Sequence, residues 1–426
     1  IDPTEAGNLF PVKAFGPNLP AAVEVILGNY GASGKLPVDL PAVTANKIDL
    51  TKPVAYPFGA GIELPYYGPD VKGLTPEQIL HGMTLDQKIG QKIMPSFRSW
   101  KVTGASAATN LTAMNEEVAE IVDKYDFGGV IFFRENTGAG TEPTYRLVSA
   151  FQQAARKDEG KESGMPAIPM LTAIDQEGGI VYRLPSGTYM PGNMALGATR
   201  STEMAKQTGE VFGRELSALG FNTNWAPVMD VNNTPLNPVI GVRSFSSDPN
   251  LVAQMGIAYI EGLHDYNLIT SLKHFPGHGD TATDSHFGLP SVDKSLEQLK
   301  ANELVPFKAA VEAGADMLMT AHIVYPQIDP DAPATMSRKV IDTLARQELG
   351  FEGVIVTDSL GMAGASDVGA TPAEKVTRCF RAGVDIALMP TAVQTKAESI
   401  RDFDAIVAAV KKDITDGKLT MEELDK

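Results

Sequence analysis

From residue 75 onward the chain repeats one pattern eight times: a short apolar run followed by a longer amphipathic stretch. The apolar runs fall at 89–94, 129–133, 168–174, 222–228, 270–275, 316–321, 353–357 and 385–389. Helical periodicity lies between them, near 110–124, 143–157, 201–219, 249–265, 294–313, 337–348, 371–382 and 398–416. Continuous apolar strands alternating with helices predict a parallel sheet buried on both faces. Eight such units predict an α/β fold of the (β/α)8 TIM-barrel type over residues 75–426. A doubly wound sheet is the competitor, but it would place a glycine-rich phosphate turn after the first strand, and the sequence has none there. Residues 1–74 stand outside the pattern. They are rich in Pro and Gly, show helical periodicity only around 21–27, and read as an N-terminal extension with too little apolar content for a core of its own.

Charge narrows the partners. The 36 basic and 52 acidic residues leave a net −16 on 426 residues. Such a chain repels phosphate backbones and anionic lipid, so nucleic acid is not an expected partner. No run of 18 apolar residues occurs, so no membrane span is expected. The lone cysteine, Cys379, excludes an internal disulfide framework and a zinc-finger site, and reads as core filler on a helix.

A barrel concentrates its chemistry on loops just beyond the strand C-termini. Polar residues gather there: Asp175, Gln176 and Glu177 after the third strand, Asp230 after the fourth, Lys273 and His274 at the end of the fifth, His322 after the sixth and Asp358 after the seventh. The densest stretch is 273–286, which holds Lys273, His274, His278, Asp280, Asp284 and His286. In extended chain Asp284 and His286 face the same side, and a carboxylate beside an imidazole fixes its tautomer and raises its basicity for proton transfer near neutral pH. Two other readings of this loop stand beside that one. One is a surface loop whose polar residues cap turns. The other is a metal site on His274, His278, Asp280 and His286, which has suitable ligand types but no HExxH-like spacing; no metal or cofactor is expected. Asp358 is either a helix cap or a nucleophile held by its strand. Asp175 with Arg183, and likewise Arg243, suit either sugar hydroxyls or an internal salt bridge. Lys273 could serve as a Schiff-base lysine, although acidic neighbours would keep it charged.

The stretch Lys273–His286 with its continuation to Pro290, Asp175–Arg183 before it and Val354–Gly361 after it together resemble the family 3 glycoside hydrolases, in their β-N-acetylglucosaminidase branch. The Asp-Ser-His end of the long loop separates that branch from the family's β-glucosidases. The resemblance covers roughly residues 75–426. It implies a retaining exo-acting enzyme that removes terminal N-acetylglucosamine from peptidoglycan fragments or chitooligosaccharides. Asp358 would be the nucleophile, His286 the general acid/base and Asp284 its dyad partner. Asp175, Arg183, Arg243, Lys273 and His274 would bind the sugar, and no cofactor is implied. Ile180, Tyr182 and Val242 stand where the family commonly has polar residues. A phosphorylase of the same architecture is the nearest rival, since a histidine acid/base lets phosphate approach. A Schiff-base aldolase on Lys273 and a sugar-binding barrel without catalysis are more distant ones. Within the extension, residues 29–41 and 56–62 resemble the closing segments of the second domain of two-domain family 3 enzymes, where they follow the barrel instead of preceding it.

Overall fold

The computed structural model describes residues 43–44, 47–48, 75–156, 168–366 and 370–426. The chain divides into two compact units, Ile1–Gly68 and Pro69–Lys426. Of the first, the described part is an antiparallel pair, Val43–Thr44 with Lys47–Ile48. The second-domain-like segments 29–41 and 56–62 lie outside the described residues, as do most of residues 1–74.

The second unit is a TIM-like α/β fold. Six of its strands form one parallel sheet: β2 (Gly129–Phe132), β3 (Leu171–Ile174), β4 (Thr223–Asn224), β5 (Ile269–Phe275), β6 (Met317–Thr320) and β7 (Val354–Thr357), in that spatial order. A separate parallel pair joins β8 (Ala387–Leu388) to β1 (Ile93–Met94). Single parallel bridges link Ser96 to Ile131 and Val356 to Ile386. Helices follow the strands, from Glu116–Tyr125 after β1 to Lys396–Thr415 after β8.

The apolar runs alternate their faces. Ile93, Val130, Phe132, Ile174, Leu272, Leu318, Ile355 and Ala387 join a large core with the helices. Met94, Ile131, Ala173, Trp225, Met317, Met319, Val356 and Leu388 form a second cluster with Phe133 and Ile386. Burial on both faces is why these strands read as unbroken apolar runs. Local signals set the helices. Pro372–Ala382 starts at a Thr371–Glu374 capping box with proline in its first turn, and stops at Gly383, whose φ of +96° suits a residue without Cβ.

The first predicted strand needs correction. Residues 85–91 are helix, opened by a Thr84–Gln87 capping box, and only Ile93–Met94 is strand. Ile89 and Gly90 are buried, and buried helix and buried strand look alike as a short apolar run. Register then aligns the strand ends. Phe132 pairs with Ile174, Ile174 with Asn224, and Thr320 with both Phe275 and Thr357. Asp175 and Asp358 are therefore the first residues beyond two aligned strand ends.

Candidate active site

A buried charge cluster joins the ends of β3 and β5. Lys273 Nζ lies 2.9 Å from Asp175 Oδ1 and 2.6 Å from Glu177 Oε1. Glu177 also accepts two bonds from Arg243, at 2.9 Å from Nε and 2.8 Å from Nη2. Burial alone would raise the Glu177 carboxyl, but Arg243 and Lys273 outweigh it and hold it well below the ordinary carboxylate range. Burial likewise opposes the Lys273 ammonium, and Asp175 and Glu177 overturn that, raising its pKa. A Schiff base needs a neutral amine. This cage keeps the ammonium charged, which removes the chemical basis of the aldolase reading.

Beside it stands His274, whose Nδ1 lies 2.8 Å from Asp230 Oδ2. Asp230 is fully buried and also accepts the backbone N–H groups of His274 and His278. Burial pushes the Asp230 carboxyl up, and the two histidines pull it below its ordinary value. A carboxylate on Nδ1 leaves Nε2 to meet Arg243, whose Nη2 lies 3.5 Å away.

The Asp358 N–H extends the sheet ladder to Thr320 O at 3.0 Å, and its Oδ1 accepts the Ser359 N–H at 2.7 Å. The next helix begins only at Ala363, so Asp358 does not cap its first turn. Burial raises the carboxyl, while His274, His322, the Ser359 N–H and Lys273 together bring it below its ordinary value. The result is an anion fixed at a strand end among cationic and imidazole groups.

Asp284 and His286 do form a pair. His286 Nδ1 is 2.8 Å from Asp284 Oδ1, and the same oxygen accepts the His286 N–H at 2.9 Å. Burial raises Asp284, but the His286 backbone and ring bonds hold it below its ordinary value. The imidazole is half exposed while Asp284 is largely covered. The backbone here is tied to the segment beyond Asp358: Gly364 N–H donates to Ser285 O at 2.9 Å, and Ala363 N–H to His286 O at 3.4 Å.

The residues matched to the profile described as "Glycosyl hydrolase family 3 N terminal domain" are 84–426. The chain belongs to glycosyl hydrolase family 3. It is 39% identical over 363 residues to beta-hexosaminidase A of Pseudoalteromonas piscicida, covering 80% of this chain and 59% of that protein. A beta-hexosaminidase of Stenotrophomonas maltophilia is 36% identical over 291 residues, 66% of this chain and 81% of that one. Among solved structures, a family 3 beta-N-acetylglucosaminidase from Paenibacillus sp. strain FPU-7 superposes with a TM-score of 0.71 at 38% identity, covering 80% of this chain and 60% of that chain. The first of these relatives and the Paenibacillus chain are thus much longer than the stretch matched here.

On this family 3 scaffold Asp175, Lys273, Arg243 and His274 fall into one contiguous cluster, with Asp358 within its electrostatic reach. Arg183 does not pair with Asp175 among the described residues. Its guanidinium lies over the Phe133 ring, 5.8 Å from the centroid, and its backbone N–H donates to Gln176 Oε1. Sequence reasoning missed Arg98, whose guanidinium lies 3.4 Å from the same ring centroid. The Nε atoms of Arg98 and Arg183 are both buried without a partner among the described residues. It also missed Glu177 as the anion joining Lys273 to Arg243. Ile180 and Val242 are solvent-exposed, so the departures there do not line the cluster. Among the described residues no helix is long and apolar enough to cross a membrane.

Proposed function

We propose that this family 3 chain is a retaining exo-β-N-acetylglucosaminidase. The observation that carries the reading is the backbone tie between the Asp284–His286 pair and the segment that follows an ionised, strand-anchored Asp358. The reading takes the eight parallel strands, with the two bridges that join the sheet to the β8–β1 pair, as one closed (β/α)8 ring, with residues 1–74 as an N-terminal extension resembling the end of a family 3 second domain. Asp175, Arg183, Arg243, Lys273 and His274 bind hydroxyls of the terminal sugar. Terminal N-acetylglucosamine on peptidoglycan fragments or chitooligosaccharides is the substrate class.

In the first step an Asp358 oxygen bonds to the anomeric carbon as the glycosidic C–O bond breaks. The proton on His286 Nε2 passes to the departing oxygen. Asp284 accepts from Nδ1–H throughout, which fixes the ring and stabilises its cationic form. In the second step neutral Nε2 takes a proton from water, the hydroxide oxygen bonds to the anomeric carbon, and Asp358 leaves as carboxylate. While Asp358 is an anion the ring is an imidazolium, so the two attract, where a second carboxylate would repel.

His286→Ala is expected to lower kcat/KM for chitobiose by about 10²–10⁴-fold, the usual worth of general acid catalysis. Nitrophenyl N-acetylglucosaminide, whose leaving group needs little protonation, should lose much less. Equal losses on both substrates would remove His286 from the acid role.

The test of the function is hydrolysis of nitrophenyl β-N-acetylglucosaminide beside nitrophenyl β-glucoside, with and without inorganic phosphate. Free N-acetylglucosamine in both conditions is the expected product. A sugar 1-phosphate formed with phosphate would replace the hydrolase with the phosphorylase. Preference for the glucoside would overturn the substrate assignment.

A further inference from the structure

The mechanism leaves His278 unused, although it shares a loop with His286. It is 1% exposed, and both ring nitrogens meet hydroxyls: Nδ1 lies 2.9 Å from Thr281 Oγ1 and Nε2 2.8 Å from Ser285 Oγ. Its backbone N–H donates to Asp230 Oδ1 at 2.6 Å, on the carboxylate that also holds the His274 ring. Burial, with His274 adding to it, pushes the His278 ring down to about 4, so at neutral pH it offers one N–H and one lone pair. Ser285 is the residue between Asp284 and His286 and is 2% exposed. Its side chain meets His278, and its carbonyl accepts the Gly364 N–H from the segment after Asp358. Gly364 permits this approach. A Cβ there would come within 2.9 Å of Ser285 O and 3.0 Å of Gly288 O.

The earlier part of the loop is anchored independently. Tyr325 Oη donates to Gly277 O at 2.6 Å. Asp280 accepts from Thr234 Oγ1 at 2.6 Å and pairs with Lys294 at 2.7 Å. Lys294 in turn lies 2.5 Å from buried Glu303. With its first half fixed in this way, the loop can transmit position to Ser285 through His278.

We propose that His278 and Ser285 are positioning residues for the Asp284–His286 dyad. The His278–Ser285 bond holds the tripeptide through its central side chain, and the Gly364 N–H holds it through the Ser285 carbonyl. The inference rests on the glycosidase reading above. A proton donor displaced by about 1 Å loses on the order of 10²-fold in rate. The loss falls where protonation of the leaving group matters.

The experiment measures kcat/KM on dinitrophenyl, nitrophenyl and methyl β-N-acetylglucosaminides for the wild type, Ser285→Ala, Ser285→Thr and His278→Gln. Ser285→Ala should lose roughly 10–100-fold on the methyl glycoside and less than about threefold on the dinitrophenyl glycoside. Ser285→Thr keeps the hydroxyl and should restore most of the difference. His278→Gln should repeat the alanine pattern, and it carries the test should Ser285→Ala not fold. A merely structural role would reduce all three substrates alike, and that result overturns the inference, as would wild-type rates in both Ser285→Ala and His278→Gln. A wild type that releases no N-acetylglucosamine from any of the three defeats the functional reading itself. An active wild type whose leaving-group dependence survives in Ser285→Ala defeats the positioning role alone.

Discussion

Asp358→Ala is expected to cut turnover of nitrophenyl β-N-acetylglucosaminide by about 10⁴–10⁶-fold, the scale on which a covalent nucleophile is lost. That is about 5–8 kcal/mol of barrier at 1.36 kcal/mol per tenfold. The fold should survive. The strand ladder uses the Asp358 backbone N–H, which alanine keeps, and the carboxylate's hydrogen bond is to its own neighbour, Ser359. The circular dichroism spectrum should match the wild type. Added azide separates the roles open to this residue. A truncated nucleophile leaves room for azide at the anomeric carbon, and direct displacement on a β-glycoside gives the α-glycosyl azide. Substantial residual turnover without azide, or a β-glycosyl azide from this variant, would remove Asp358 from the nucleophile position and leave it a charge-balancing role beside His274 and Lys273.

Asp358 was readable as a site candidate because strand ends announce themselves, while its role as nucleophile came from the family resemblance. Residues 354–356 are all apolar and Thr357 closes the strand, and the charged residue that follows has no packing reason to be there. The same logic found Asp175 and Lys273. It did not reach Arg98, which lies four residues beyond the first strand's end at Met94 and not directly at it. What brings Arg98 to the site is stacking on Phe133, a contact across 35 positions that no local pattern records. Glu177 was visible as a strand-end carboxylate, but its task depends on Arg243, 66 residues away, folding back against it. The histidines make the contrast sharpest. His278 and His286 sit eight residues apart in one polar loop, yet one is buried between two hydroxyls and the other is half exposed. Composition gives them equal standing, and only the packing of the loop against Asp230 and Gly364 assigns them different tasks.

Glu177→Gln should be the most destabilising single substitution in the site despite being nearly isosteric. The native carboxylate is 2% exposed and takes two bonds from Arg243 and one from Lys273. The amide carries no charge, and its NH2 end must face either a guanidinium or an ammonium, donor against donor. Removing one partner of a buried ion pair costs about 3–5 kcal/mol, because the remaining charges stay buried without compensation. Asp175 still holds Lys273, so Arg243 bears most of the loss. The pH dependence gives the effect a signature. The folded pKa of Glu177 lies below its unfolded value, so its stabilisation is fully present above the unfolded pKa of about 4.3 and is lost progressively as pH falls from there toward the folded value. The gap in urea midpoint between wild type and Glu177→Gln should therefore hold steady from pH 8 to pH 5 and narrow in more acidic buffer. A constant gap at all pH values would mean that shape, not charge, sets the cost. Equal midpoints at neutral pH would mean that Arg243 and Lys273 are held by something other than Glu177.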